Sequence, residues 1–389
     1  MLKTVLHNLK HFFITLTIMV FILVAFGIYI GATAHLIEDP LAYKLDREGP
    51  HVFFDQDHLV INTLRGSQDD GFYIDQIKSP LSETVTSTVY FPKDDTEFTI
   101  ELDSNIQSPP TVYNDNHPII AISDIESGYK SFRDFLMSNK VIDDQLNWIF
   151  NKGHLVLVGD FVDRGASTTQ VLWFIYRLEK EAIKHGGKVH FILGNHEIKA
   201  LQGNYKDASP KYFYIASILG KHQYQLFGQN SFIGRWMNSK NTMEVINGNL
   251  FVHGGIHPDL GNINDSIDSI NQIVRDNYRE VYYTKPGDND NAFLTSTTTG
   301  PSWYRGYFKD DLSHDDIKQG LKPFNANSVV VGHTIQWNVS KLYDGLVYAI
   351  DVSHPKDYLT SFPPRNSEGL LIDSNKYYRL TDDGSRTLL

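Results

Sequence analysis

The sequence predicts an α/β layered fold, preceded by a small β-rich extension and an apolar amino-terminal helix. Three observations carry this expectation. From about residue 117 onward, strand-like runs alternate with helix-like ones. Over residues 48–113, short β-branched and aromatic runs are separated by Asp, Gly, Pro and Ser. Over residues 12–34 no charged side chain interrupts the apolar run. Alternation of the two periods favours sheets covered by helices, and densely punctuated short runs favour a meander of strands.

Taken in order, residues 1–11 form a short amino-terminal segment carrying Lys3 and Lys10. The run 12–34 is long enough, at about 1.5 Å per residue, to cross a hydrocarbon core of about 30 Å. Lys3 and Lys10 before it, and Glu38, Asp39 and Asp46 among the charges after it, place the amino end inside and the rest of the chain outside. Two readings stay open, a single-pass anchor with an extracytoplasmic catalytic domain, or a secretory signal cleaved at Ala32-Thr33-Ala34. The β-rich stretch includes Val52-Phe53-Phe54, Leu59-Val60-Ile61, Phe72-Tyr73-Ile74, Thr88-Val89-Tyr90-Phe91 and Phe98-Thr99-Ile100-Glu101-Leu102, and Ser108-Pro109-Pro110 marks its boundary. Within 117–389, buried strands are expected at 119–122, 155–158, 189–193, 249–252, 328–331 and 346–350, with a closing hairpin from 369–372 and 377–380. Helices are expected at 130–139 and 167–184, and 285–291 reads as a solvated loop with weak calcium-binding character.

Composition narrows the chemistry. The length of 389 residues allows two or three folded units at roughly 100–200 residues each. Hydrophobic residues at 41% are enough for a packed core rather than disorder. The net charge of −11 argues against a nucleic-acid partner, because phosphate backbones attract basic faces. With no cysteine, disulfides, thiolate-bound zinc, iron–sulfur clusters and thiol catalysis are excluded. Any metal must therefore be held by His, Asp, Glu and Asn.

Polar residues stand directly after five of the expected strands, where open α/β sheets place their ligands. Asp124 and Glu126 follow the first, and Asp160 follows the second in GDFVDRG at 159–165. Asn195, His196 and Glu197 follow the third in GNHE at 194–197. His253 comes in VHGG at 252–255 and His333 in GHT at 332–334. Such a mixed nitrogen and oxygen donor set suits two divalent ions about 3.5–4 Å apart. Singly, each residue has a plainer reading. Asp124 could be a helix cap, His253 a core histidine, Glu197 a helix-start carboxylate favoured by the dipole, and Asp163 a partner of Arg164. Their conjunction at separate strand ends outweighs these readings.

Over roughly residues 117–355 the set resembles the calcineurin-like metallophosphoesterases, nearest the phosphoprotein-phosphatase branch with its Shewanella-like type. The resemblance implies a β-sandwich core flanked by helices and a dinuclear centre. By the same resemblance Asp160 bridges the two ions, Asp124 and Glu126 complete the first position, and Asn195, His253 and His333 complete the second. A hydroxide shared by the ions attacks phosphorus in line. Arg164 and Asn195 hold the phosphate, and Arg305 is a second clamp or an aromatic-packed cation. His196 protonates the leaving oxygen, and Asp163 orients His196.

Two departures from the family pattern bear on the metals. The first motif is usually Asp-x-His, whereas this chain has Asp124-Ile125-Glu126, which favours Mn²⁺ first and Mg²⁺ over Fe or Zn²⁺. A second late histidine is replaced by Ile335, as in the protein-phosphatase branch. The expected activity is hydrolysis of phosphomonoesters, Ser, Thr or Tyr phosphoproteins among them. The alternatives are a dinucleoside-polyphosphate or nucleotide pyrophosphate hydrolase, a phosphodiesterase, or a membrane-tethered binding module with a decayed site.

Overall fold

The computed structural model describes residues 2–29, 34–262, 266–282, 290–309 and 311–389. Helix Leu2–Tyr29 opens the chain and is long and apolar enough to cross a membrane; its apolar window buries nothing against the described residues. Residues 32 and 33 of the expected cleavage site fall outside the described residues, as does 285–289 of the expected solvated loop. Asp290 opens a short helix, Asp290–Leu294.

Two six-stranded sheets form the centre. One runs, edge to edge, Lys188–Ile192, His154–Val158, Ile119–Ile122, Glu368–Asp373, Lys376–Thr381 and Arg386–Leu388. The other runs Ser340–Leu342, Val347–Ala349, Ser328–Val331, Asn249–Val252, Met243–Ile246 and Val112–Tyr113. In each sheet three adjacent strands are parallel, 119–122 with 154–158 and 188–192 in the first, and 249–252 with 328–331 and 347–349 in the second. Parallel strands covered on both faces read as continuous apolar runs, which is why IIAI at 119–122 and LVLV at 155–158 show no alternation. Ile119, Ala121, Val156, Val158 and Ile192 face Ile246, Phe251, Val330, Tyr348 and Ile350 between the sheets. The alternate residues Ile120, Ile122, Leu155 and Leu157 pack outward in the core that also holds Phe132, Phe135 and Phe174. These aromatics come from helices Tyr129–Ser138 and Thr168–Lys184. The Asp357 carboxylate accepts from the backbone N–H groups of Tyr129 at 2.8 Å and Lys130 at 2.9 Å and so caps the first of these helices.

A polar chain, buried at His154, His190 and Glu244 and open to solvent at Asp115, ties the sheets together at one edge. His154 Nε2 lies 2.9 Å from Asp115, its Nδ1 2.8 Å from His190 Nε2, and His190 Nδ1 2.6 Å from Glu244. Each side chain in the row finds a partner, as buried polar groups must.

The β-rich segment makes an antiparallel sheet of His51–Asp55, His58–Ser67 and Gly71–Pro80, and a hairpin of Val85–Phe91 with Thr96–Leu102. It shares one hydrophobic core with the sheets and helices that follow. Helix Thr168–Lys184 supplies polar contacts as well: Gln170 Nε2 donates to Tyr90 O at 2.9 Å, Trp173 Nε1 to Pro50 O at 2.8 Å, and Tyr176 OH to Glu101 O at 3.0 Å. Glu48 and Lys211 form an ion pair of 2.8 Å, each side chain only 1% exposed. Burial opposes ionisation of Glu48, but Lys211 and then His51 hold its pKa below the usual glutamate range.

Lys211→Met would leave Glu48 charged, buried and unpaired, at a penalty of about 3–5 kcal/mol. Urea unfolding is the check, with a matching drop in stability expected and an unchanged midpoint contradicting it. The pair's contribution through Glu48 is present above the ordinary glutamate pKa of about 4.3 and is lost as pH falls through the lower folded value.

Candidate active site

The C-terminal ends of the six parallel strands meet over one cleft of about 570 Å³, lined by Asp124, Glu126, Asp160, Arg164, Asn195, His196, Arg305, His333, Asp351 and Lys356 among others. The loops leaving these strands turn sharply. Asp124 (φ 54°), Glu126 (49°), Asp160 (60°), Asp163 (67°), Arg164 (59°) and His333 (65°) all occupy the left-handed region. For residues with a Cβ that conformation costs roughly 1–2 kcal/mol each, and such outliers gather where side-chain placement matters more than local stability. Glycine lets two loops touch: a Cβ on Gly194 would lie 2.3 Å from Asp160 Oδ1. Glu197 fixes the same turn. Its buried carboxylate accepts backbone N–H groups from Asp160 (2.9 Å), Phe161 (2.7 Å), Val162 (3.2 Å) and Gly194 (2.9 Å). The capping role read for Glu197 is thus performed on the loop bearing Asp160 as well as on its own helix, Asn195–Gln202.

Asp160 sits at the centre, 3% exposed. Its Oδ2 lies 3.1 Å from His253 Nε2 and 3.8 Å from His196 Nε2, and its Oδ1 accepts the His196 backbone N–H at 2.9 Å. Asn195 Oδ1 is 3.1 Å from His253 Nε2. His253 Nδ1 donates to Val158 O at 2.7 Å, which turns Nε2 toward Asp160. Ligand atoms of Asp160, His253 and His333 all fall within 4.8 Å of one another. Two imidazoles and a carboxylate, with an amide oxygen alongside, are a donor set that fits a divalent transition metal.

The charges are mutually adjusted. Burial would raise the Asp160 pKa, but His253 and His196 hold it well below the carboxylate range. Burial would depress His253, yet Asp160 and Asp124 lift it to about 9. Burial and the neighbouring His253 push His333 down to about 2, so it is the neutral imidazole. Asp124 is raised well above the carboxylate range by burial and by Asp351.

Beside this cluster His196, 1% exposed, places its Nδ1 2.9 Å from Asp163 Oδ2 and its Nε2 3.1 Å from Arg164 Nη2. Burial opposes a charge on His196, while Asp160 and the hydrogen bond to Asp163 raise its pKa. Asp163, His196 and Asp207 form a second convergence of ligand atoms. Asp207 also takes Lys199 Nζ at 3.0 Å.

Three expected residues have partners that the sequence reading did not anticipate. Both oxygens of Glu126 are engaged by cations, Oε1 by Arg164 Nη1 and Oε2 by Lys356 Nζ. Arg164, expected at the phosphate, pairs with Glu126 from the rim of the cleft, its side chain 52% exposed. Arg305 reaches the cleft but donates to His333 O at 2.5 Å and Thr334 Oγ1 at 2.9 Å, which steadies the loop bearing His333. The sequence reading also passed over Asp351, His354 and Lys356. They follow the strand Val347–Ala349 in the segment Asp351-Val352-Ser353-His354-Pro355-Lys356, so the strand-end rule that found the other residues would have found these.

Residues 117–336 match the family model of the calcineurin-like phosphoesterases, which is more than half of the chain. The chain belongs to that family and is a hydrolase acting on phosphoesters. Within it the similarity runs to the Shewanella-like phosphatases. Identity is 29% over 238 residues with Shewanella-like protein phosphatase 1 of Plasmodium berghei (strain Anka), covering 57% of this chain and 62% of that protein. It is 27% over 125 residues with Shewanella-like protein phosphatase 2 of Arabidopsis thaliana, covering 32% of this chain and 30% of that one. The match thus spans about three fifths of the length of the Plasmodium relative. Among solved structures, the cold-active protein-tyrosine phosphatase of a psychrophilic Shewanella species superposes with a TM-score of 0.75 at 30% identity, over 88% of this chain and 99% of that one.

Proposed function

We propose that this chain is a dinuclear metal-dependent phosphatase of phosphomonoesters, acting on phosphorylated side chains of proteins. The observation that carries this reading is the convergence of Asp160, His253, His333 and Asn195 directly beside the His196–Asp163 pair. Asp160, Asn195, His253 and His333 would hold one ion. Asp124 and Asp160 would hold the other, with Glu126 at its edge and Mn²⁺ the preferred metal. When bound, such a pair supplies Lewis acidity and brings the pKa of a water toward 7.

The remaining chemistry belongs to the chain's own side chains. His196 carries a proton at Nε2 for the leaving oxygen, and Asp163 keeps the ring oriented and its pKa raised. Arg164, held at the rim by Glu126, and Asn195 bind the phosphate oxygens. Ile335, 62% exposed, gives the cleft an apolar rim suited to a peptide or an aromatic ester. The solved Shewanella relative is a protein-tyrosine phosphatase by name, and phosphotyrosyl proteins are the first substrates to try.

The amino-terminal helix is read as an anchor that leaves the cleft outside the cytoplasm. Strand Ala34–Glu38 begins a few residues beyond that helix and pairs with Leu359–Phe362, and Leu359 lines the cleft. An anchored enzyme would therefore hold its cleft near the membrane surface.

The test is reconstitution. The chain, stripped by chelator, is expected to lose turnover of p-nitrophenyl phosphate and to regain it with Mn²⁺, with bis-p-nitrophenyl phosphate cleaved more slowly. No recovery with any divalent ion would overturn the metal mechanism, and faster cleavage of the diester would overturn the substrate class.

A further inference from the structure

Six parallel strands end at the cleft, and Asp351 stands at the end of the sixth. It follows Val347–Ala349, the neighbour of the strand that delivers His333. Asp351 is only 6% exposed and lines the cleft with Asp124, Asp160 and Glu126. Among the described residues its carboxylate has no hydrogen-bond or ion-pair partner. A carboxylate at that depth with no cation is costly by several kcal/mol.

The nearby protein cations are already engaged. Lys356 and Arg164 neutralise Glu126, and Arg305 is bonded to His333 O and Thr334 Oγ1. Asp124, at the end of the central strand of the facing sheet, has one oxygen occupied, accepting the His333 backbone N–H at 3.1 Å. Among the described residues Asp124 and Asp351 therefore make no ion pair, whereas Asp160 pairs with His253 and Glu126 with Arg164 and Lys356. Glu126, the acid expected from the motif, is the one whose charge is compensated.

We propose that Asp351, and not Glu126, completes the metal position at Asp124 and Asp160, and that Glu126 serves to hold Arg164 and Lys356 at the rim. This rests on the dinuclear reading above. Three carboxylates and no imidazole make a hard oxygen site, selecting Mn²⁺ or Mg²⁺ over zinc at that position.

Metal stoichiometry tests this without recourse to turnover. The chain is stripped and titrated with Mn²⁺, followed by calorimetry and by electron paramagnetic resonance for the coupled ion pair. Wild-type protein is expected to bind two ions. Asp351→Asn is expected to keep one, bind the second at least ~100-fold more weakly, and lose the coupled signal. Asp351→Glu retains a carboxylate and is expected to keep two, and Glu126→Gln is expected to keep two. In the stripped state Asp351→Asn should unfold at the same temperature as wild type or higher, because a buried carboxyl group without a partner has been replaced by a neutral amide.

Loss of the second ion in Glu126→Gln but not in Asp351→Asn would overturn the assignment. So would a stripped Asp351→Asn protein that unfolds well below wild type, since that marks a structural carboxylate. A wild-type chain that binds no ion would instead defeat the dinuclear reading itself.

Discussion

Asp160→Asn is expected to lower turnover by ~10³-fold or more and to weaken binding of both ions. The side chain keeps its shape, so Oδ1 can still accept the His196 backbone N–H now measured at 2.9 Å. What is lost is the one negative charge that lies between His253 at 3.1 Å and His196 at 3.8 Å. In the proposed centre that charge is also the group shared by the two ions. Lewis-acid stabilisation is worth several kcal/mol, and each ~1.4 kcal/mol is a factor of ten in rate. Turnover of p-nitrophenyl phosphate with elemental analysis of the same sample checks both halves. A near-normal rate with full metal content would contradict the bridging role.

His196→Asn is expected to lower kcat by ~10²–10⁴-fold while leaving metal content unchanged. The ring is held by Asp163 beside the metal cluster, and Asp160 faces it at 3.8 Å. A group that protonates the leaving oxygen matters most where that oxygen is basic. The loss should therefore be largest for an alkyl phosphate such as phosphoserine and smallest for p-nitrophenyl phosphate, which leaves without help. Equal losses on both substrates, or loss of metal, would assign His196 to a different task.

Much of this site was legible because the strands that carry it are buried on both faces. Runs such as IIAI, LVLV and VVV leave only a few positions where polar residues can emerge, and Asp124, Asp160, Asn195, His253 and His333 all emerge there. Asp351 emerges in the same way after Val347–Ala349. It lies outside the motifs that carry the family resemblance, the last of which ends at Thr334. Glu126 shows a different limit. Its register after Asp124 marked it as a ligand, but its partners lie 38 and 230 residues away, and side chains that distant are not visible in a local pattern.

The same division holds for the fold. The long helix Thr168–Lys184 announced itself by periodicity and the inner strands by unbroken apolar runs. Short helices such as Lys211–Ile218 and Phe232–Asn238 did not, because eight residues or fewer hold barely two turns of pattern. The strands of the β-rich segment were readable from their aromatic and β-branched runs. Their docking on the helix was not, since it depends on Gln170, Trp173 and Tyr176 meeting backbone carbonyls some 75–123 residues earlier.

The decisive measurement is anomalous diffraction at the manganese edge from crystals of the chain grown with Mn²⁺. Two peaks are expected about 3.5–4 Å apart, on either side of Asp160, one among Asn195, His253 and His333 and the other against Asp124. A cleft without a peak at saturating manganese, or ions bound away from Asp160, would contradict the claim that these strand ends converge to hold a metal pair.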